Sequence, residues 1–225
     1  ARLAVLPVAA KASVELGLEA ALESALAHWL YHDEVWLRGN AKAKAEILLA
    51  LARVRHALVL FGGIVPRKAT THLRALLNDA EAALLAADTA EEALFRTEVV
   101  AAKLALTEWL VQRGWRPFLN EAGEKKIAGS FKRFADINLS RVAAELRSAV
   151  QHLAVEDAAD QLPKLSRDID SVQLLAGAYG DAVAPWLENW QELQRAIEHD
   201  DRSVFEYFRR QALAAEPFWL HSGKR

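Results

Sequence analysis

Cationic side chains interrupt an otherwise apolar run in residues 51–68, which read LARVRHALVLFGGIVPRK. They are Arg53, Arg55 and His56. A guanidinium group binds carboxylate or phosphate oxygens bidentately, and a neighbouring imidazole adds a hydrogen-bond donor that can become charged. The residue types therefore indicate one of two roles: binding an anionic ligand or pairing with an internal carboxylate.

The element that positions these cations is a helix that we predict over residues 41–61. One face carries a complete apolar stripe, and apolar residues also occur on the opposite side, which is typical of a helix in a protein interior. The stripe consists of Ile47, Leu51, Val54, Leu58 and Phe61. Arg53 and Arg55 are two positions apart, or about 200° around the helix, so they cannot share one solvent-exposed face.

A guanidinium group in such an interior needs a partner, because an unpaired buried charge costs several kcal/mol. One partner would be an acidic side chain on a later helix, and the candidates are Asp136, Glu145, Asp168 and Asp170. The other would be an anionic ligand in a water-filled channel. Because structural ion pairs also occupy such places, the residues alone favour the internal carboxylate.

Helical patterns cover nearly the whole chain, and no strand signal interrupts them. We predict an all-α fold of about eight helices in two antiparallel bundles, residues 1–114 and 115–225, with a dividing loop over residues 114–129. The predicted helices cover residues 13–38, 41–61, 66–87, 89–112, 130–152, 160–179, 184–199 and 203–215. The spacings of Thr89 with Glu92 and of Ser203 with Glu206 each predict a capping box at a helix start.

The composition places limits on function. The chain has 225 residues, of which 52% are hydrophobic, so it can bury a sizeable core. Its net charge of −2 at pH 7 gives no overall attraction for a polyanion, and an anion site must be a local cluster of cations. Cys and Met are both absent. Redesign, chance or a GC-rich source would each give this composition, and the start at Ala1 leads us to expect a fragment or an excised domain.

Other function classes have little support in the sequence. It shows no membrane-spanning run, no signal peptide and no Gly-rich phosphate loop, so we expect a cytoplasmic protein that binds neither a membrane nor a specific nucleic acid. His28 and His32 are four positions apart and would share one helix face. No third ligand follows at a diagnostic spacing, so we predict no metal site and no cofactor.

The second half of the chain adds cations on two amphipathic helices. Lys132 with Asp136, and Lys164 with Asp168, have the i,i+4 spacing of a surface ion pair, which favours a solvated outer face. The cations that are less committed to such a pair are Arg133 and Arg141.

Four segments of the chain resemble the CHAD domain, a histidine-containing α-helical domain. They are LARVRHALVLFGGIVPRK, KLALTEWLVQ, SFKRFADINLSRVAAEL and EPFWLHSGKR, and the chain is most similar to the CHAD half of bacterial CYTH–CHAD inorganic triphosphatases. The resemblance implies two pseudo-symmetric helical bundles whose basic side chains line a groove or pore and bind inorganic polyphosphate. The Glu-x-Glu-x-Lys motif of the catalytic CYTH domain is absent. The resemblance therefore implies that this chain is not an enzyme. Its implied ligands are inorganic polyphosphate or phosphate and sulfate anions, and its implied protein partner is a CYTH domain, as in the full-length relatives.

The resemblance also implies which residues bind the anion. Arg53 and Arg55 match two arginines of an Arg-Arg-x-Arg signature, and Ala52 replaces the remaining one. Ala45 and Leu48 stand where the family pattern has His and Arg, so these departures remove positive charge. The implied polyphosphate-binding residues are Arg53, Arg55, His56, Arg67, Lys68, His72, Arg74, Arg133, Arg141, Lys164 and Arg167.

Overall fold

The computed structural model describes Val8, Ala9 and residues 11–220, apart from the side chain of Asp181. Within that part of the chain the regular structure is helical, which confirms the all-α prediction. The last five residues of the segment EPFWLHSGKR lie outside the described residues. The helices are α1 (Val14–Leu37), α2 (Ala43–Leu60), α3 (Arg67–Ala86), α4 (Ala90–Leu94), α5 (Thr97–Val111), α6 (Glu121–Ile127), α7 (Phe131–Val150), α8 (Ala158–Leu175), α9 (Ala184–Glu198) and α10 (Arg202–Ala214).

The chain divides into two compact units after Gly129. The N-terminal unit, Ser13–Gly129, contains α1 to α6, and the C-terminal unit contains α7 to α10. The predicted loop over residues 114–129 is not wholly irregular, because it contains α6. Asn120 caps this helix by accepting a hydrogen bond of 2.9 Å from the Gly123 amide.

The predicted helix over residues 89–112 is broken into α4 and α5. Its start is correct: the Thr89 side chain accepts from the Glu92 amide at 3.1 Å, while the Glu92 carboxylate accepts from the Asp88 amide. The break lies at Arg96, whose backbone is extended. No Gly or Pro marks this position in the sequence. Since α4 packs against both α1 and α3, tertiary contacts rather than local signals redirect the chain here.

The predicted capping box at Ser203 is wrong. Asp201 is the cap of α10, and its carboxylate accepts from both the amide and the hydroxyl of Ser203, at 3.2 and 2.6 Å. Glu206 instead binds Arg209 and Arg210. The capping-box prediction failed because Asp201, two residues before Ser203, is itself a favourable N-cap residue and starts the helix earlier.

The core of the N-terminal unit is built from two helix pairs, α1 with α2 and α3 with α5. Trp115 follows α5, is fully buried and donates its Nε1–H to the carboxylate of Glu15 at 2.9 Å. Arg116 donates to both oxygens of the same carboxylate. Burial raises the pKa of Glu15, but the hydrogen bonds from Arg116 and Trp115 outweigh it and hold the pKa below its ordinary value.

The C-terminal end of α3 is closed by a side chain from α2. The ammonium of Lys44 donates to the carbonyls of Leu85 and Ala87, at 3.3 and 2.7 Å. Carbonyls at a helix end have no intrahelical partner, and a cation there also interacts favourably with the helix dipole. Lys44 therefore fixes the end of α3 against α2.

The C-terminal unit packs α8 between α7 and α9, and α9 against α10. Its largest buried side chains include Phe131 and Trp190. Arg209 on α10 donates to the carbonyls of Val150 and Gln151, at 3.2 and 2.6 Å, and so closes the C-terminal end of α7. None of the described helices combines the length and the apolar character that a bilayer crossing requires.

Gly114 provides a test of packing in the N-terminal unit. A Cβ atom there would lie 2.8 Å from Nε1 of Trp109, and this indole is held in place by its hydrogen bond to the Ala69 carbonyl and by edge contact with Trp115. We expect Gly114→Ala to lower the free energy of unfolding by about 1–3 kcal/mol in urea denaturation. The matched control is Gly62→Ala, whose Cβ would meet no atom within 4 Å. Equal unfolding midpoints for the two variants would contradict this account.

Candidate functional site

The two arginines of α2 have different environments. Arg53 is 3% exposed. Arg55 is half-buried, and its two terminal nitrogens lie 2.9 Å from the two carboxylate oxygens of Glu81 on α3. It also donates to the Leu77 carbonyl at 3.1 Å. The interpretation as an internal ion pair is therefore confirmed for Arg55, but its partner is not among the four carboxylates named from the sequence.

A second group of cations lies where the chain passes from α2 to α3. We call it the α2–α3 corner and define it by Gly62, Arg67, Lys68, Arg74 and Lys126. The chain leaves α2 through a turn of 3₁₀ helix over Phe61–Gly63 and enters α3 after Pro66. Pro66 supplies no side-chain cap. The Ala69 amide donates to the Pro66 carbonyl at 2.9 Å, whereas the amides of Arg67 and Lys68 have no partner among the described residues. These two amides and the positive end of the helix dipole are therefore available to an anion.

Two cavities open at this corner, and Gly62 lines both. One, of about 280 Å³, is lined by Arg67, Thr70 and Arg74 together with apolar residues. The other, of about 410 Å³, is lined by Lys68 and Lys126 among others. The linings contain no Asp or Glu. Within the described part of the chain, the four cations of the corner form no ion pair, in contrast to Arg55.

Arg74 is oriented by its own helix. Its Nε–H donates to the hydroxyl of Thr70 at 3.0 Å, and that hydroxyl donates to the carbonyl of Arg67 at the same distance. The terminal nitrogens of Arg74 form no hydrogen bond with any residue that the structure describes. Burial lowers the pKa of Arg74, and the positive charge of Arg67 lowers it further. An anion between the two arginines would relieve this repulsion.

The other predicted residues of the N-terminal unit do not line these cavities. His56 is half-buried on α2, and His72 is exposed on α3, one turn beyond Lys68. The structure thus brings Arg67, Lys68 and Arg74 together at the corner. Lys126 joins them from α6, and the sequence interpretation missed it because it assigned that segment to a loop.

The predicted cations of the C-terminal unit mostly have acidic neighbours. Arg141 donates to the carboxylate of Glu145 at 2.7 Å, and Lys164 reaches the Glu145 carbonyl at 3.4 Å. Arg167 pairs with Asp168 at 3.1 Å. The predicted pair of Lys164 with Asp168 is therefore replaced by a pair between sequence neighbours.

Lys132 forms its predicted pair with Asp136 at 3.2 Å. Its ammonium also lies over the ring of Tyr179, 5.0 Å from the centroid. The Tyr179 hydroxyl donates to Asp136, and burial together with this bond raises the pKa of Tyr179. Arg133 is exposed and makes no ion pair with a described residue. Arg133 is thus the member of the predicted C-terminal set that remains available to an external anion.

The helical fold agrees with a comparison against known protein families. The family model of the CHAD domain matches residues 20–210, which is most of the chain. The chain belongs to the CHAD family. A solved structure, that of the CHAD domain from the plant Ricinus communis, matches with a TM-score of 0.65 over 98% of this chain and 88% of that one. The two sequences are 17% identical, so this likeness establishes the CHAD fold.

The structure of this CHAD domain also shows a cluster that spacing did not reveal. His28 and His32 on α1 lie beside Glu46 in the first turn of α2, and His28 Nε2 is 2.9 Å from a carboxylate oxygen of Glu46. The sequence showed the histidine pair but no third ligand. Glu46 is 18 residues from His28 and comes close only through the packing of α1 on α2.

Asp168 offers a test of electrostatics in the C-terminal unit. Burial raises its pKa above the ordinary value of 3.8, although Arg167 opposes the shift. A raised carboxyl pKa contributes stability that is present below the unfolded-state pKa and is lost as pH rises through the folded-state pKa. We therefore expect Asp168→Asn to raise the free energy of unfolding at pH 7 by up to about 1 kcal/mol, with the gain disappearing near pH 3.

The control for this experiment is Asp160→Asn, which removes an exposed carboxylate from the same helix. Urea denaturation at several pH values would measure both variants. A loss of stability at pH 7 in Asp168→Asn alone would show that the ion pair with Arg167 outweighs the cost of burial.

Proposed function

We propose that this CHAD domain binds inorganic polyphosphate, with the α2–α3 corner as a principal contact. The observation that carries the proposal is the grouping of Arg67, Lys68, Arg74 and Lys126 around two cavities whose linings contain no acidic residue. A net charge of −2 for the whole chain makes such a local excess of cations informative. The positive end of α3 adds to the same field.

The chemistry of polyphosphate suits this arrangement. Each phosphate unit carries about one negative charge, and arginine forks bind its oxygens in pairs. Arg74 has its Nε engaged by Thr70, which leaves the fork end of the guanidinium for a ligand. Lysines act as point charges and tolerate several positions of a flexible chain. A row of cations therefore suffices, without a pocket shaped for one phosphate.

The remaining predicted residues contribute to different degrees. We rank Arg55 below the corner residues, because its two terminal nitrogens already bind Glu81. His72 lies next to the corner on α3, and Arg133 in the C-terminal unit is exposed, so both are retained as secondary contacts. The other predicted residues are either less accessible, as are Arg53 and His56, or have internal partners, as do Arg141, Lys164 and Arg167. We therefore propose that these residues stabilise the fold rather than bind the anion.

We propose a binding module rather than an enzyme, acting beside a catalytic CYTH domain as in the proteins that the sequence resembles. Support comes from the family comparison, which finds the CHAD domain over residues 20–210. The bidentate pair of Arg55 with Glu81 favours a second candidate, a structural helical domain with internally matched cations. The binding experiment separates the two.

Titration of long-chain polyphosphate into the protein tests the proposal. We expect binding that weakens on the order of 50-fold from about 50 mM to about 200 mM salt, if four phosphates are contacted as in single-stranded nucleic acids. The double variant Arg67→Ala/Arg74→Ala should bind at least about tenfold more weakly and should show a smaller dependence on salt. Calorimetry or fluorescence anisotropy would measure both quantities.

The matched control is a pair of neighbouring lysines on α6. Lys126 lines a cavity, whereas Lys125 is exposed and pairs with Glu121 at 2.6 Å. Lys126→Ala should weaken binding and Lys125→Ala should not, although both remove one charge. Equal losses of affinity in the two variants would show that the protein attracts polyphosphate only nonspecifically. If the wild-type protein binds no polyphosphate at low salt, the second candidate, a structural helical domain, is favoured.

A further inference from the structure

Two histidines and a glutamate converge between α1 and α2, away from the corner. His28 and His32 are one turn apart on α1, and Glu46 lies in the first turn of α2. One ligand atom from each of the three side chains can be chosen so that all lie within 4.8 Å of one another. The two imidazole rings are 4.3 Å apart between centroids and tilted by 51°. The three side chains are therefore close enough for a single ion to contact all of them.

The environment of His32 provides a second, independent observation. His32 is only 6% exposed, and neither of its ring nitrogens has a hydrogen-bond partner among the residues that the structure describes. A buried polar group without a partner loses its hydrogen bonds to water and gains none in return, so such groups call for an explanation. The rings of Tyr31 and His32 are nearly perpendicular, with centroids 5.0 Å apart, and this contact satisfies neither nitrogen.

We propose that His28, His32 and Glu46 bind one divalent transition-metal ion, and that Zn²⁺ is the best match. Two imidazoles and a carboxylate form a ligand set that zinc proteins use with a water molecule or another ligand in the fourth position. Imidazole ligands disfavour Mg²⁺ and Ca²⁺, which prefer oxygen donors. The metal would accept a lone pair from His32 and so account for its buried ring.

Small movements complete the site. Tetrahedral zinc with ligands at about 2.0–2.1 Å requires ligand atoms about 3.3 Å apart. The His28–Glu46 pair is already close at 2.9 Å, and the largest separation among the three is within 4.8 Å. The ligand atoms therefore need to approach one another by no more than about 1.5 Å to reach tetrahedral spacing. If His28 binds through Nε2, its ring proton resides on Nδ1.

The proposed metal would join α1 to α2, one of the two helix pairs that build the core of the N-terminal unit. Its ligands come from both helices, so binding should stabilise their packing by mass action. The ligand Glu46 lies on α2, the helix that also carries Arg53 and Arg55, but at the end opposite to Gly62. The site is thus a structural clamp on α2 and does not depend on polyphosphate binding.

The experiment is a zinc titration of untagged, chelator-treated protein in a buffer without phosphate, in competition with a chromophoric chelator. We expect one equivalent of Zn²⁺ to bind and to raise the unfolding temperature, and Mg²⁺ not to compete. Glu46→Gln and His32→Phe should each weaken binding by at least about tenfold and abolish the thermal shift. Co²⁺ substitution would report the coordination geometry through its visible absorption.

The matched control is His152→Gln, which removes an exposed histidine of the C-terminal unit and should leave zinc affinity unchanged. Glu46→Gln is nearly isosteric and partly exposed, so it decides the matter even if His32→Phe fails to fold. Circular dichroism would establish the fold of each variant. The proposal is overturned if wild-type protein binds no zinc, or if folded Glu46→Gln binds it as tightly as wild type.

Discussion

The cost of removing a charge from water is the constraint on which the N-terminal unit depends. Charged side chains pack between its helices, and several of the described ion pairs join one helix or segment to another. Examples are Arg55 with Glu81, Lys103 with Asp33, and Arg116 with Glu15. Removing Lys103 or Arg116 would leave a largely buried carboxylate, Asp33 or Glu15, without that partner. Each pair therefore fixes the register of two segments as well as their charge balance. Only against this background is the unmatched charge of the α2–α3 corner informative.

Local chemistry made much of the fold predictable from the sequence. Ser13 and Ser130 cap helices at the predicted places, and most long helices begin and end within a few residues of the predicted bounds. The failures have two causes. The break at Arg96 and the cap at Asp201 depend on choices between competing local signals, or on packing against distant helices, which periodicity does not record.

The candidate sites were predictable only in part, for a related reason. Residue type and family resemblance pointed to Arg67, Lys68 and Arg74, because clustered cations remain visible in a sequence. The partner of Arg55 and the neighbour of His28 were not visible. Glu81 is 26 residues from Arg55 and Glu46 is 18 residues from His28, and these contacts exist only after the helices pack. A sequence shows which groups need partners but not which partners they find.

Helix α3 is capped by a side chain at its C-terminal end but not at its N-terminal end. Lys44 holds its last carbonyls, whereas Pro66 gives its first turn no side-chain cap. An uncapped turn is where a helix frays most readily, and local opening of this kind costs far less than global unfolding. An oxyanion at this end would act as the missing cap. Anion binding at the corner and ordering of the first turn of α3 would then be thermodynamically coupled. The same segment would bind the anion and change its own stability in response.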